Sequence, residues 1–179
     1  NRIFDNLFVS VGGGVNLLGE GKSKTEVGTR FGLDINFGKW YSPYFGNRIG
    51  IMGTELNAMV KEVRHRLTGE PDQFGNYSFE SKFYYAHADF LWNATNTIGG
   101  YKRERVWNVS PYGHFGVAQG FYMDGTTYKR EYAYGIGLLN SVKLLDRASI
   151  FADVRVTTMS GRFVRNPNVL PFITTVLFG

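Results

Sequence analysis

His87 and Asp89 stand two residues apart, and Asp153 and Arg155 repeat that spacing. On an extended strand, positions i and i+2 share one face. Either pair therefore sets a titratable group beside a carboxylate, the arrangement that acid–base catalysis or metal ligation requires. The same spacing equally suits an interior network in which opposite charges satisfy one another, and buried charges must pair. No segment that would form a cleft accompanies these pairs, so the interior network is the reading adopted here. Ser110 and His114 come nearest to a nucleophile with its base, but four strand residues separate them by roughly 13 Å. Gly12-Gly13-Gly14 has the composition of a phosphate loop, yet it lies inside an alternating strand pattern and lacks the P-loop Lys. His65, between Arg64 and Arg66, reads as solvated. The expectation is no catalytic residue, no cofactor and no metal.

Composition narrows what must hold these residues. The length of 179 residues suits one domain, and 43% hydrophobic residues exclude a disordered chain. That fraction is unusually aromatic, with 15 Phe, 11 Tyr and 3 Trp beside 23 Gly. Aromatics favour strands and Gly disfavours helix interiors, so the chain leans to all-β. With no Cys, neither a disulfide nor a thiolate metal site is available. The net charge of +5 is spread among acids, as in Glu20 to Glu26, and nucleic acid is not an expected partner. No apolar run reaches the roughly 18 to 20 residues of a membrane-spanning helix, a test that strands escape. Asn1 as the first residue suggests removal of an earlier start, such as a secretory leader.

Alternation of period two recurs along the whole chain. Eight runs are read: Leu7 to Leu18, Thr29 to Tyr41, one from Arg48, Lys82 to Thr95, Val106 to Gln119, Lys129 to Lys143, Ser149 to Thr158 and Leu170 to Gly179. In the third run the apolar parity changes, and a β-bulge near Met52 to Glu55 would restore it. The eighth is apolar on both parities, so its facing stays open. The connections 19–28, 61–81, 120–128 and 160–169 are polar and mostly long, whereas 42–47 and 144–148 are tight and 96–105 is intermediate. Long loops at one end with short turns at the other is the asymmetry of outer-membrane barrels.

The polar face of these runs carries Gly12, Gly14, Gly32, Gly38, Gly50, Gly116, Gly135 and Gly137. A solvated surface gains nothing from them, whereas a narrow barrel interior needs small residues between large ones. The same face carries Arg30, Asp34, Arg48, His87, Asp89, His114, Asp153 and Arg155, the expected interior network. Trp40, Tyr41, Trp92 and Trp107 gather at the short-turn end, with Tyr44 and Tyr101. Tyr84 and Tyr132 lie towards the long loops, with Phe121, Tyr122 and Phe163. Two such aromatic girdles mark the two bilayer interfaces. The expected fold is thus an all-β, eight-stranded, antiparallel, up-and-down transmembrane barrel with short periplasmic turns and longer extracellular loops, covering 1–179 as one domain. A soluble lipocalin-like barrel is the inverted alternative.

The stretch His87-Ala-Asp-Phe-Leu-Trp-Asn-Ala-Thr-Asn-Thr-Ile-Gly-Gly-Tyr101, followed by Arg105-Val-Trp-Asn-Val-Ser-Pro-Tyr112, resembles OmpA-family outer-membrane proteins. So does Gly38-Lys-Trp40 before its short Pro turn. The resemblance implies an eight-stranded barrel in the bacterial outer membrane, with the first strand rising from the periplasm. A peptidoglycan-binding periplasmic domain often follows the barrel in that family, and no such segment lies within 1–179, so peptidoglycan is a partner only through a domain absent from this stretch. The implied role is structural, in envelope integrity or assembly, with lipid, lipopolysaccharide and other outer-membrane proteins as partners. The loop 61–81 is the favoured contact surface. A narrow porin-like channel is the alternative.

Overall fold

A computed structural model describes residues 5–19, 29–60, 77–122, 130–159 and 172–179. The strands are β1 (Leu7–Gly19), β2 (Thr29–Trp40), β3 (Phe45–Val60), β4 (Tyr77–Trp92), β5 (Trp107–Tyr122), β6 (Glu131–Leu145), β7 (Ala148–Met159) and β8 (Phe172–Phe178), with one short helix, α1 (Ala94–Gly99), between β4 and β5. They form a closed barrel in sequence order. Every pairing is antiparallel, and β1 meets β8 from Gly13↔Phe178 to Gly19↔Phe172. Closure leaves no free sheet edge along the paired lengths, as strands within hydrocarbon require.

The outer wall is apolar. Phe31, Leu33, Ile35 and Phe37 of β2 point outward and are exposed, as are Ile49 and Ile51 of β3, Phe115 of β5 and Ile136 of β6. Tyr132 is 76% exposed, whereas Arg155 on the opposite parity is 0% exposed. A soluble ligand-binding barrel would have these values reversed, so that alternative is set aside.

Several boundaries differ from the sequence expectation. β3 begins at Phe45 and β4 at Tyr77, so the polar stretch 77–81 belongs to a strand. The bulge expected near Met52 to Glu55 is not there: β3 pairs with β4 without interruption from Phe45↔Trp92 to Val60↔Tyr77. The change of parity in the sequence instead reflects the end of the apolar band, since Glu55 holds the register position opposite Lys82. The ladder does slip between Lys143 and Leu145, where β6 turns through Asp146 and Arg147 into β7. The eighth strand acquires a facing, with Ile173, Thr175 and Leu177 buried and Phe172 and Phe178 outward. The expected long connections fall largely in 20–28, 61–76, 123–129 and 160–171, outside the described residues, as do His65 and Phe163.

The short-turn end is ordered by local hydrogen bonds. Ser42 Oγ accepts from the Tyr44 and Phe45 amides at 3.2 and 3.1 Å, closing the turn around Pro43. The fourth run was expected to reach Thr95, but β4 stops at Trp92 and α1 follows. Asn93 caps α1 by accepting from the Asn96 amide at 2.8 Å, a role for which Asn is well suited. Asn96 in turn donates to the Pro43 carbonyl at 2.8 Å, tying the helix to the neighbouring turn.

Candidate functional site

The inward face is stacked in three layers. Towards the long loops lies an apolar cluster of Met52, Phe83, Tyr85, Ala118, Ala133, Met159 and Ile173. Towards the short turns Leu91, Tyr112 and Leu139 form a second, with Phe8, Trp40 and Phe151 packed against it. Between them sit the ionisable side chains. β4 shows the order directly, running Phe83, Tyr85, His87, Asp89 and Leu91 along one parity.

The middle layer joins five strands. Arg48 of β3 donates through Nε to Asp89 Oδ2 at 2.5 Å and through Nη2 to Asp153 Oδ2 at 2.6 Å. Arg155 of β7 donates through Nη2 to Asp34 Oδ2 and, at 3.2 Å, to Asp153 Oδ2. His87 places Nδ1 2.7 Å from Asp89 Oδ1 and Nε2 3.2 Å from Asp34 Oδ1. Tyr112 donates its hydroxyl to Asp153 Oδ1 at 2.5 Å, and the Arg48 guanidinium lies over the Tyr112 ring, 4.7 Å from its centre. Both oxygens of Asp89 and Asp153 therefore have a partner, and Asp34 Oδ2 has Arg155, while Asp34 Oδ1 and Arg155 Nη1 each lie 3.2 Å from His87 Nε2. Pairing of this kind is the condition under which buried charge is tolerated.

Glycine makes this layer possible. Gly50 stands directly opposite His87, and Gly137 directly opposite Tyr112. A Cβ on Gly50 would meet His87 Nε2 at 2.8 Å, and one on Gly137 would meet Tyr112 Cζ at 2.2 Å. The interior therefore alternates rings with vacant positions across the strands, as a narrow lumen requires.

Of the eight candidate interior residues, the structure brings together Asp34, Arg48, His87, Asp89, Asp153 and Arg155. His114 stands apart from them. Its Nδ1 pairs with the Tyr85 hydroxyl at 2.8 Å and its Nε2 lies 3.3 Å from the Val156 carbonyl, so neither ring nitrogen is free to activate Ser110. Arg30 holds the register position opposite Asn16, but its side chain lies outside the described residues. Tyr112 and Tyr85 were not among the candidates. Their shared parity with Asp89 and His114 was the available signal, hidden because an aromatic reads as apolar.

Trp40 requires a correction. It was grouped with the girdle by its place along the strand, but it shares the parity of Asp34 and Asn36 and packs inward near Phe8, at 6.3 Å between ring centres. Height along the strand selected it, and facing excludes it. Tyr41, Trp92 and Trp107 are exposed at the short-turn end, and Tyr84 and Tyr132 towards the other.

A closed eight-stranded barrel with an apolar wall and an ionic interior is an outer-membrane barrel of the OmpA-like architecture, and its place is the bacterial outer membrane. The sequence is 27% identical over 127 residues to outer membrane protein 40 of Porphyromonas gingivalis (strain ATCC BAA-308 / W83), covering 69% of this chain and 30% of that protein. The chain thus spans less than a third of the length of the curated relative it matches. Neisserial surface protein A has a similar fold, with a TM-score of 0.62 at 9% identity over 96% of this chain and 93% of that one. The attachment invasion locus protein Ail of Yersinia pestis, solved with the heparin analogue sucrose octasulfate, aligns with a TM-score of 0.50 at 11% identity over 97% of this chain and 95% of that one. No family model matches the sequence.

Proposed function

We propose that this barrel is a non-enzymatic, non-conducting scaffold with a structural or assembly role in the outer membrane. Its contacts with lipid, lipopolysaccharide and neighbouring outer-membrane proteins are made by its wall and loops. The observation that carries this reading is the middle layer, in which three buried carboxylates are paired with arginine, histidine and tyrosine side chains of the barrel itself. An ion crossing the lumen would have to displace these partners and pass the tightly packed apolar clusters on either side. The loop 61–81, the favoured contact surface from the sequence, lies with 61–76 outside the described residues.

Planar-bilayer recording from the purified chain tests the proposal. The expected trace stays at the leak baseline. Steady open channels would replace the scaffold with a narrow pore.

A further inference from the structure

We propose that α1 and the turn after it form a seat for an anionic glycerophospholipid of the periplasmic leaflet. The inference rests on the outer-membrane placement and not on whether the lumen conducts. α1 lies at the lipid side of the rim: Trp92, an outward residue of β4, donates its indole N–H to Thr97 Oγ1 at 2.9 Å. Next to Thr97, Ile98 is 85% exposed, and Tyr101, Val106 and Trp107 are exposed beyond it. An apolar surface of this kind is continuous with the wall that hydrocarbon already covers, so its natural occupant is the same bilayer.

The headgroup side of the seat is cationic. Lys102, Arg103 and Arg105 line a shallow notch with the single acid Glu104. Arg105 is the inner member, donating through Nη2 to the Gly99 and Gly100 carbonyls at 3.2 and 2.7 Å and so fixing the turn. Lys102 and Arg103 are exposed, and neither side chain makes a hydrogen bond or ion pair among the described residues. On the β6–β7 turn of the same rim, Lys143 is held by Asp146 at 3.0 Å, and the exposed Arg147 belongs to that turn and not to the apolar foot at α1. Lys102 and Arg103 thus stand immediately beside an apolar foot at the level of the interfacial tryptophans, where a lipid phosphate sits. Each Lys or Arg near such a surface favours anionic lipid by an amount equivalent to roughly fivefold enrichment.

The tryptophans report on this seat, since Trp92 and Trp107 flank it and Trp40 is turned inward. The purified chain is reconstituted into phosphatidylglycerol–phosphatidylcholine vesicles in which one or the other lipid is brominated, and quenching is compared. The wild type is expected to be quenched more strongly by brominated phosphatidylglycerol, reflecting local enrichment on the order of 25-fold when the two fivefold contributions combine. The double variant Lys102→Gln/Arg103→Gln falls towards parity, whereas Lys102→Arg/Arg103→Lys keeps the preference. Arg130→Gln, at the opposite rim, leaves it unchanged. Heat-shifted gel mobility establishes that each variant is folded. Equal quenching by the two lipids in the wild type, or a preference that survives the double Gln change, overturns the proposal.

Discussion

The middle of the lumen and the short-turn rim both carry cationic and aromatic side chains, yet they use them in opposite ways. In the lumen Arg48 and Arg155 are fully buried and committed to three carboxylates. At the rim Lys102 and Arg103 are exposed and uncommitted, while Arg105 is held by two carbonyls of its own loop. The difference follows from solvent. A lone charge inside a closed barrel has only protein to replace water, whereas one at the interface keeps both water and lipid phosphate. Charge therefore works as internal structure in the first region and as an outward-facing surface in the second.

Removing one internal partner should break the contrast most severely. Asp89→Ala leaves Arg48 and His87 without one of their acceptors, and the expected cost is about 3–5 kcal/mol. Urea unfolding in lipid vesicles, followed by gel mobility, measures it. The double variant Arg48→Met/Asp89→Leu should recover much of that loss, because it removes the charge together with its partner. If the double variant loses as much as the two single changes summed, the layer is not held by pairing.

Gly137→Val tests the space rather than the charge. Its Cβ would occupy the position of the Tyr112 ring, which must then leave both Asp153 and Arg48. A loss of about 1–3 kcal/mol is expected in the same assay. The smallest effect belongs to the rim, where Trp92→Phe removes only the indole donor to Thr97. It should cost about 1 kcal/mol or less and raise the amide exchange of α1 without changing that of β4. Exchange that rises equally in β4 would mean that helix and barrel open as one unit.

The two regions were unequally legible in the sequence. The lumen could be read because strand parity fixes facing over long distances: once Asp34, Asp89 and Arg155 shared the polar parity with so many glycines, their common interior followed. Parity could not tell which acid meets which base, since that depends on how β7 lies relative to β2 and β3 across the barrel. It also failed where its physical basis ends. Around Glu55 the wall passes beyond the apolar band, so a continuous strand looked broken, and at Trp40 height in the membrane was mistaken for facing. The helix α1 escaped notice because six residues without an apolar period give no helical signal. Its stability comes from the Asn93 cap and the Asn96 bond to Pro43, both interactions of single residues.

Closure in sequence order also sets a condition on how the molecule assembles. Arg48 meets Asp153 across 105 positions, Arg155 meets Asp34 across 121, and Thr175 donates to Asn16 across 159. These bonds cannot form in a growing hairpin stack, because their second partners lie in the last two strands. Long-range contacts of this kind slow folding, since the entropy of closing the loop is lost before the contacts return anything. Until β7 and β8 arrive, Arg48 can pair with Asp89 while Asp34 lacks its arginine. The ionic layer is therefore a latch that engages only once β7 is in place, favouring the curled barrel over any shorter sheet.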